Sequence, residues 1–356
     1  MAKVLRGKKD VADSGQGVDA FFRGTAGSDV SLKDQRSVIG TPNAALPAFV
    51  LGEELADIAD HDPRIVVMTA DLASANRTND FKARHPERFF DFGIAEKNMI
   101  TAAAGLASSG MVAYAATFAA FSAVLAAEQI KTDCAYPGVK VRIIGHHSGI
   151  SMGFYGSSHH ATEDLAMMRA IADLTIVNAT DANHLRAILR ASVDHPGAMY
   201  IRLSRGRDPE VYEDVPAAFK IGKATTLRQG KDLAIITCGS RVHFALGAAD
   251  ILARKGISAR VIDMHTLKPL DKAAIRKAAR ETGAILTVED HNITGGLGSA
   301  VAEVLVDEPR VRFLRHGIPD EFAPVGPPAA LYAHYLLDDV GIAKKARAFL
   351  VAKRKT

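Results

Sequence analysis

From residue 46 onward the hydrophobic pattern switches repeatedly between a period near two and a period near 3.6. FVLGEELADIAD at 49–60 carries apolar residues at helical spacing. RIVVMTADL at 64–72 is a nearly continuous apolar run closed by Asp71, as in a strand buried on both faces. FFDF at 89–92 reads as the end of another buried strand. Gly93 then turns the chain into a helix whose apolar positions are Ile94, Met99, Ala102, Ala103 and Leu106, ending through Gly110. VAYAATF (112–118) predicts a strand and FSAVLAAEQIKTDCAY (121–136) a long helix stopped by Pro137-Gly138. VKVRIIGHH (139–147) predicts the next strand, followed by a helix opening at Thr162-Glu163-Asp164. ADLTIVNAT (172–180), a helix capped by Asp181, and AMYIRLSR (198–205) complete the first set.

A second set follows a stretch rich in charge, proline and glycine. DLAIITCG, SARVIDMHTL and AILTVED read as strands, with helices at 242–256 and 271–283 between them. HNITGGLGSAVAEVLVDE reads as a glycine turn into a helix. Strands alternating with helices of ten or more residues imply βαβ units. The expected fold class is therefore α/β, two consecutive three-layer domains with mainly parallel sheets covered on both faces. The division is 1–44 a flexible N-terminal arm, 45–206 the first domain, 207–230 a linker and 231–352 the second domain.

Bulk properties narrow the function classes. A length of 356 residues is ample for two cores, and 48% hydrophobic with 24% charged residues is ordinary globular composition. A net charge of +4, scattered along the chain, gives no nucleic-acid footprint, although anionic substrates are compatible with it. Cys134 and Cys238 offer neither a disulfide framework nor metal spacing. MAKVLRGKKD has no apolar leader and no apolar run reaches membrane-spanning length, so the expected location is cytoplasmic.

Parallel sheets bind ligands at the loops after their strands' C-terminal ends, where Asp71, His147 and Arg205 fall. Glu96 lies in the first turn of a helix with mostly apolar neighbours. A carboxyl there is expected to be desolvated, with a raised pKa suited to sharing a proton with a ring nitrogen. On spacing alone an ordinary helix-N-terminal acid, favoured by the macrodipole, is the better account of it. Phe118 and Phe121 share one helix face, which on spacing alone core packing explains better. HHSGISMGFYGSSHH at 146–160 holds four of the thirteen histidines. Adjacent histidines on an extended segment point to opposite faces and no thiolate joins them, which weighs against a metal site. Gly295-Gly296-Leu297-Gly298 invites a phosphate-loop reading. It lacks the GxGxxG frame and the Walker lysine, so a turn for close helix packing is expected.

Five motifs together, DLA at 71–73, FGIAEKNM at 92–99, TFAAF at 117–121, HSG…SSHHATED at 147–164 and LSR at 203–205, resemble the transketolase family. The likeness runs from about 52 to 348, over the pyrimidine-binding domain and the transketolase C-terminal domain. The resemblance implies thiamine diphosphate as cofactor and transfer of a two-carbon ketol unit from a ketose to an aldose. It implies that Glu96 hydrogen-bonds the aminopyrimidine N1′ and promotes loss of the thiazolium C2 proton. Phe118 and Phe121 become the aromatic wall around the aminopyrimidine, with Val124 where some relatives carry a further aromatic. Asp71 stands near the cofactor. His147 and His159, twelve residues apart, would hold the ketose oxygens and stabilise a developing alkoxide. His160 stands where relatives often have Gln. Arg205 would grip a terminal phosphate, and Arg202 is expected on the other face of its strand.

Some positions depart from that pattern. Gly153-Phe154-Tyr155-Gly156 replaces an acidic Gly-Glu-Asp-Gly segment, and Ala48 and Ala75 stand where relatives offer an Arg and a Ser. These losses predict a weaker grip on a phosphate dianion and a preference for a neutral or sulfonate tail. The chain contains no GDG…N motif, the family's diphosphate-and-metal element. It therefore resembles the C-terminal half of a transketolase split between two subunits. An N-terminal-half partner would carry GDG…N and the Mg2+ ligands, in an α2β2 hetero-oligomer. The alternatives are a β subunit of a 2-oxo acid dehydrogenase E1 component, or a non-catalytic paralogue that scaffolds a partner.

Overall fold

The computed structural model describes residues 47–205, 208–308 and 310–352, with side chains from Val50. The arm read at 1–44 and the side chain of Ala48 lie outside the described residues.

The strands in chain order are β1 (Ile65–Thr69), β2 (Phe89–Asp91), β3 (Val112–Phe118), β4 (Val141–His146), β5 (Thr175–Asn178), β6 (Met199–Arg202), β7 (Thr225–Arg228), β8 (Leu233–Thr237), β9 (Ala259–Asp263), β10 (Thr266–Lys268), β11 (Ala284–Asn292) and β12 (Arg312–Ile318). They form a seven-stranded sheet, β10-β5-β6-β4-β3-β1-β2, and a five-stranded sheet, β12-β11-β8-β9-β7. All pairings are parallel except β10 with β5 and β7 with β9.

Apolar runs such as IVVMT and VAYAATF are buried along their whole length because helices cover both faces. On one face of the first sheet, α1 (Pro47–His61) sets Leu51 and Leu55 against Val67 and Tyr114. Full burial of such a leucine stabilises by about 1.5–3 kcal/mol. On the other face, α3 (Glu96–Ser108), which follows a short α2 (Asn79–Arg84), packs Met99, Ile100 and Ala103 against Ala115 and Ile143. That second core continues without a break into the second sheet through Ile236, Ile285 and Val301.

Several elements differ from the sequence reading for local reasons. The aromatic run at 89–91 is an edge strand paired only with β1, so Phe90 remains 39% exposed. The helix expected over 121–136 is broken into π-helical turns, Phe121–Leu125 and Ile130–Ala135, around a short α-helix, Ala127–Gln129. Such turns recur at functional sites. Residues 225–228, inside the stretch read as a connector, form the antiparallel edge strand β7.

SARVIDMHTL divides at Met264–His265: its first part pairs in the second sheet and its last residues cross to the first. The crossing is tied by Met264 N–H to the Thr237 carbonyl and by Asn178 N–H to the His265 carbonyl. Beside it the wholly buried Asp263 accepts from the Thr180 and Tyr212 hydroxyls at 2.6 and 2.9 Å. Burial raises Asp263 to about 7, against the lowering effect of those two hydrogen bonds. A carboxyl raised in the folded state adds stability below its unfolded pKa and loses it as pH rises through about 7. Asp263→Asn should remove a pH-dependent loss on the order of 3–4 kcal/mol between about pH 4 and 8. Thermal melts at pH 5 and pH 8 check this; parallel shifts in wild type and variant would show that Asp263 does not titrate.

The remaining helices are α4 (Asp164–Ala170), α5 (Ala182–Ser192), α6 (Arg241–Ala253), α7 (Lys272–Thr282), α8 (Leu297–Leu305), α9 (Pro328–His334) and α10 (Asp339–Val351). Asp181 caps α5 as expected, accepting from His184 N–H at 2.8 Å. The glycine turn before α8 is no phosphate cradle: Glu289 accepts from Leu297 and Gly298 N–H at 2.6 and 2.9 Å. The chain's own carboxylate occupies that helix N-terminus, and a Cβ at Gly296 would meet it at 2.1 Å. No described helix is long and apolar enough to cross a membrane.

Candidate active site

β4, β3 and β1 are neighbours in parallel register, so their C-terminal ends share one rim. The register sets Phe118 opposite His146 and Thr69 opposite Ala116. At this rim the chain leaves β1 and β4 through left-handed backbone, Asp71 at φ 56° and His147 at φ 59°. Residues other than glycine adopt that conformation at a cost, and functional sites are where it concentrates.

His147 does not continue the alternation of β4. The left-handed turn brings its ring beside that of His146, centroids 4.4 Å apart, so the expectation of opposite faces fails for this pair. The turn is held from both halves of the chain. Ser148 N–H donates to the Leu203 carbonyl at 3.0 Å, and Ile150 N–H donates to Asp290 Oδ1 at 3.1 Å. Tyr332 OH donates to the other Asp290 oxygen at 2.8 Å, and a Cβ at Gly149 would collide with that carboxyl.

This brings four of the expected residues together. The Phe118 ring lies 4.3 Å from His147, 5.5 Å from Phe121 and 5.9 Å from His159, and Phe121 meets His159 edge-on at 5.3 Å. Tyr155, read only as a departure, stacks tilted on His159 at 5.0 Å. Ser158 Oγ lies 2.9 Å from His159 Nδ1. Asp71 and Glu96 stand on the β1–β2 side of the rim, not in the ring cluster. There Asp91, which the sequence reading missed, accepts from Asp71 N–H at 2.9 Å and Gly93 N–H at 3.1 Å. It thereby joins the turn after β1 to the turn leading into α3. Glu96 opens α3 and is only 7% exposed.

Arg205 and Arg202 divide as expected. Arg202 is buried, bidentate to Asp164 at 2.7 and 3.0 Å, while half-buried Arg205 remains at the rim. Burial, with the charges of Arg77 and Arg205, holds His146 down at about 3. Burial, then His146, Arg205 and Arg77, lowers His147 still further. Burial alone lowers His159. These three rings are thus neutral donors and acceptors at neutral pH. Arg77 had no motif to mark it.

The rim also collects buried polar atoms without a protein partner: Thr69 Oγ1, Asn76 Oδ1, Thr117 Oγ1, both ring nitrogens of His146 and Nδ1 of His147. Buried polar groups rarely stay unpaired, so this set fits a polar ligand. Two phenyl rings, a buried carboxyl and these atoms suit an aminopyrimidine. Among the described residues no group of three or more His, Cys, Asp or Glu side chains is placed to hold a metal.

The transketolase pyrimidine-binding domain model matches residues 48–209 and the transketolase C-terminal domain model residues 222–342. The chain belongs to the transketolase family. It is 41% identical over 299 residues to one of the subunits of an apulose-4-phosphate transketolase from Phocaeicola vulgatus, covering 84% of this chain and 95% of that one. It is 38% identical over 291 residues to a 6-deoxy-6-sulfo-D-fructose transketolase subunit from a Clostridium species, covering 82% and 88%. A solved split-gene transketolase, described as an inactive β4 tetramer, superposes with a TM-score of 0.80 at 39% identity, over 87% of this chain and all of that one. This transketolase-family subunit thus has the two mostly parallel, helix-covered sheets expected of it.

Proposed function

We propose that this chain is the C-terminal-half subunit of a split, thiamine-diphosphate-dependent transketolase that moves a two-carbon ketol unit from a ketose to an aldose in the cytoplasm. The observation that carries the reading is the ring cluster of Phe118, Phe121, His147 and His159 on the rim that also holds buried Glu96. The division into a pyrimidine-binding domain at 45–206 and a C-terminal domain at 231–352 belongs to this reading.

Thiamine diphosphate supplies a carbon nucleophile and electron sink when bound. Phe118 and Phe121 would stack on its aminopyrimidine, a contact worth about 0.5–1.5 kcal/mol beyond area burial. Asp71 would stand near it. Glu96 holds and exchanges the proton at N1′. His147 and His159, kept neutral, donate to the donor's oxygens as charge develops there. Arg205 takes the substrate's far end. The two named relatives act on sugars ending in a phosphate and a sulfonate, which favours a ketose with an anionic tail here.

The cofactor's diphosphate and Mg2+ fall to a partner carrying GDG…N, in an α2β2 assembly. The purified chain alone is expected to bind thiamine diphosphate weakly and to transfer no ketol unit, and the partner with Mg2+ should restore both. Full activity of the chain by itself would end the split-enzyme reading.

A further inference from the structure

Six residues after Asp71, the loop between β1 and α2 carries an arginine that none of the family's motifs marks. Arg77 sits at φ 59°, in left-handed backbone. The loop around it is built, not loose. Asn76, wholly buried, donates its side-chain amide to the Ala116 carbonyl of β3 at 2.9 Å. Thr78 N–H donates to the Ala73 carbonyl at 3.0 Å, and the Arg77 carbonyl accepts from Gly52 N–H of α1 at 3.1 Å. A Cβ at Gly52 would lie 2.4 Å from that carbonyl oxygen, so the close approach depends on glycine there. Strained backbone pinned from two elements, β3 and α1, at the rim of a ligand site is a fixture that fits a functional role.

Topology places this fixture. Arg205 follows β6, on one side of the β4–β3 pair whose ends carry His146, His147 and Phe118; Arg77 follows β1, on the other side. We propose that Arg77 is a second ligand for the terminal anion, phosphate or sulfonate, of the ketose donor, working with Arg205 across the histidine mouth. The inference rests on the transketolase reading and deepens it. It supplies the positive charge that is lost where Ala48 replaces the relatives' Arg, at a position two residues beyond Ala75. The positive charge of Arg77 is also felt at both His146 and His147, alongside that of Arg205. Two guanidiniums suit a tetrahedral anion because each offers paired N–H donors.

The test uses the complex reconstituted with the GDG…N partner, thiamine diphosphate and Mg2+. Its donors are xylulose 5-phosphate, 6-deoxy-6-sulfo-D-fructose and the uncharged erythrulose. Arg77→Asn is the informative variant, because asparagine tolerates left-handed backbone. It should raise KM for the two anionic donors about tenfold relative to erythrulose. Arg77→Lys, which keeps the charge and loses the paired donors, should fall between wild type and Arg77→Asn. Equal losses on all three donors, or an unchanged KM for xylulose 5-phosphate, would overturn the role of Arg77 alone. No ketol transfer by the wild-type complex with any donor would overturn the transketolase reading, and this inference with it.

Discussion

Glu96→Gln should lower ketol transfer by the reconstituted complex about 10²–10⁴-fold, the range of a lost general acid–base contribution. Glutamine keeps the shape, and its carbonyl oxygen can still accept a hydrogen bond. It cannot take up and return a proton. Glu96 is the first residue of α3 and buried, with Met99 and Ile100 of the same helix wholly buried below it. Its side chain therefore has little freedom to be replaced by solvent. The variant should melt within a degree or two of wild type and assemble with the partner as well, since a neutral amide at a helix N-terminus forfeits only about 0.3–1 kcal/mol of dipole interaction. Steady-state rates beside a co-purification assay separate the two effects. A rate loss under threefold would reduce Glu96 to a helix-end acid.

The second large effect concerns His147. His147→Asn keeps a residue tolerant of the left-handed turn and removes the ring that lies 4.3 Å from Phe118. If the ring donates to an oxygen that gains charge in the transition state, kcat should fall about 10²–10³-fold. Cofactor affinity should change little. A pH profile adds an independent check. Burial and the flanking cations hold His146 at about 3 and His147 below the ordinary histidine range. Neither ring should then contribute an acid limb near pH 6.5. For stability the sign follows from the unfolded chain taking up protons first. The contribution of these rings is full above about pH 6.5 and fades as pH falls toward about 3. An acid limb near 6.5 that vanished in His147→Asn would refute the neutral-donor role.

Much of the fold was legible because the hydrophobic period is a local property. Four consecutive apolar residues, Ile65–Met68, can be buried on both faces only inside a covered parallel sheet, and that is where they lie. Asp181 capped its helix because the capping geometry is set within four residues. The glycines at 295–298 lacked a phosphate-loop frame, and the structure fills that helix end with Glu289.

What failed to show in the sequence depended on neighbours distant along the chain. Phe89–Asp91 has the composition of a buried strand but sits at a sheet edge, because strand order is not written in local pattern. The run 258–267 reads as one strand, yet pairing with two different sheets divides it. Tyr155 read as a lost acid, and only folding brought its ring onto His159. Arg77 was silent because its place on the rim follows from β1 lying beside β3, and its backbone from a glycine twenty-five residues earlier. The sequence by itself determined the elements, the α/β class and the residue types able to do the chemistry, since these follow from periodicity and side-chain identity. Tertiary structure decided which of those side chains meet and which are neutral. Distances between strand ends, and the withdrawal of water from them, come into being only when the sheets close.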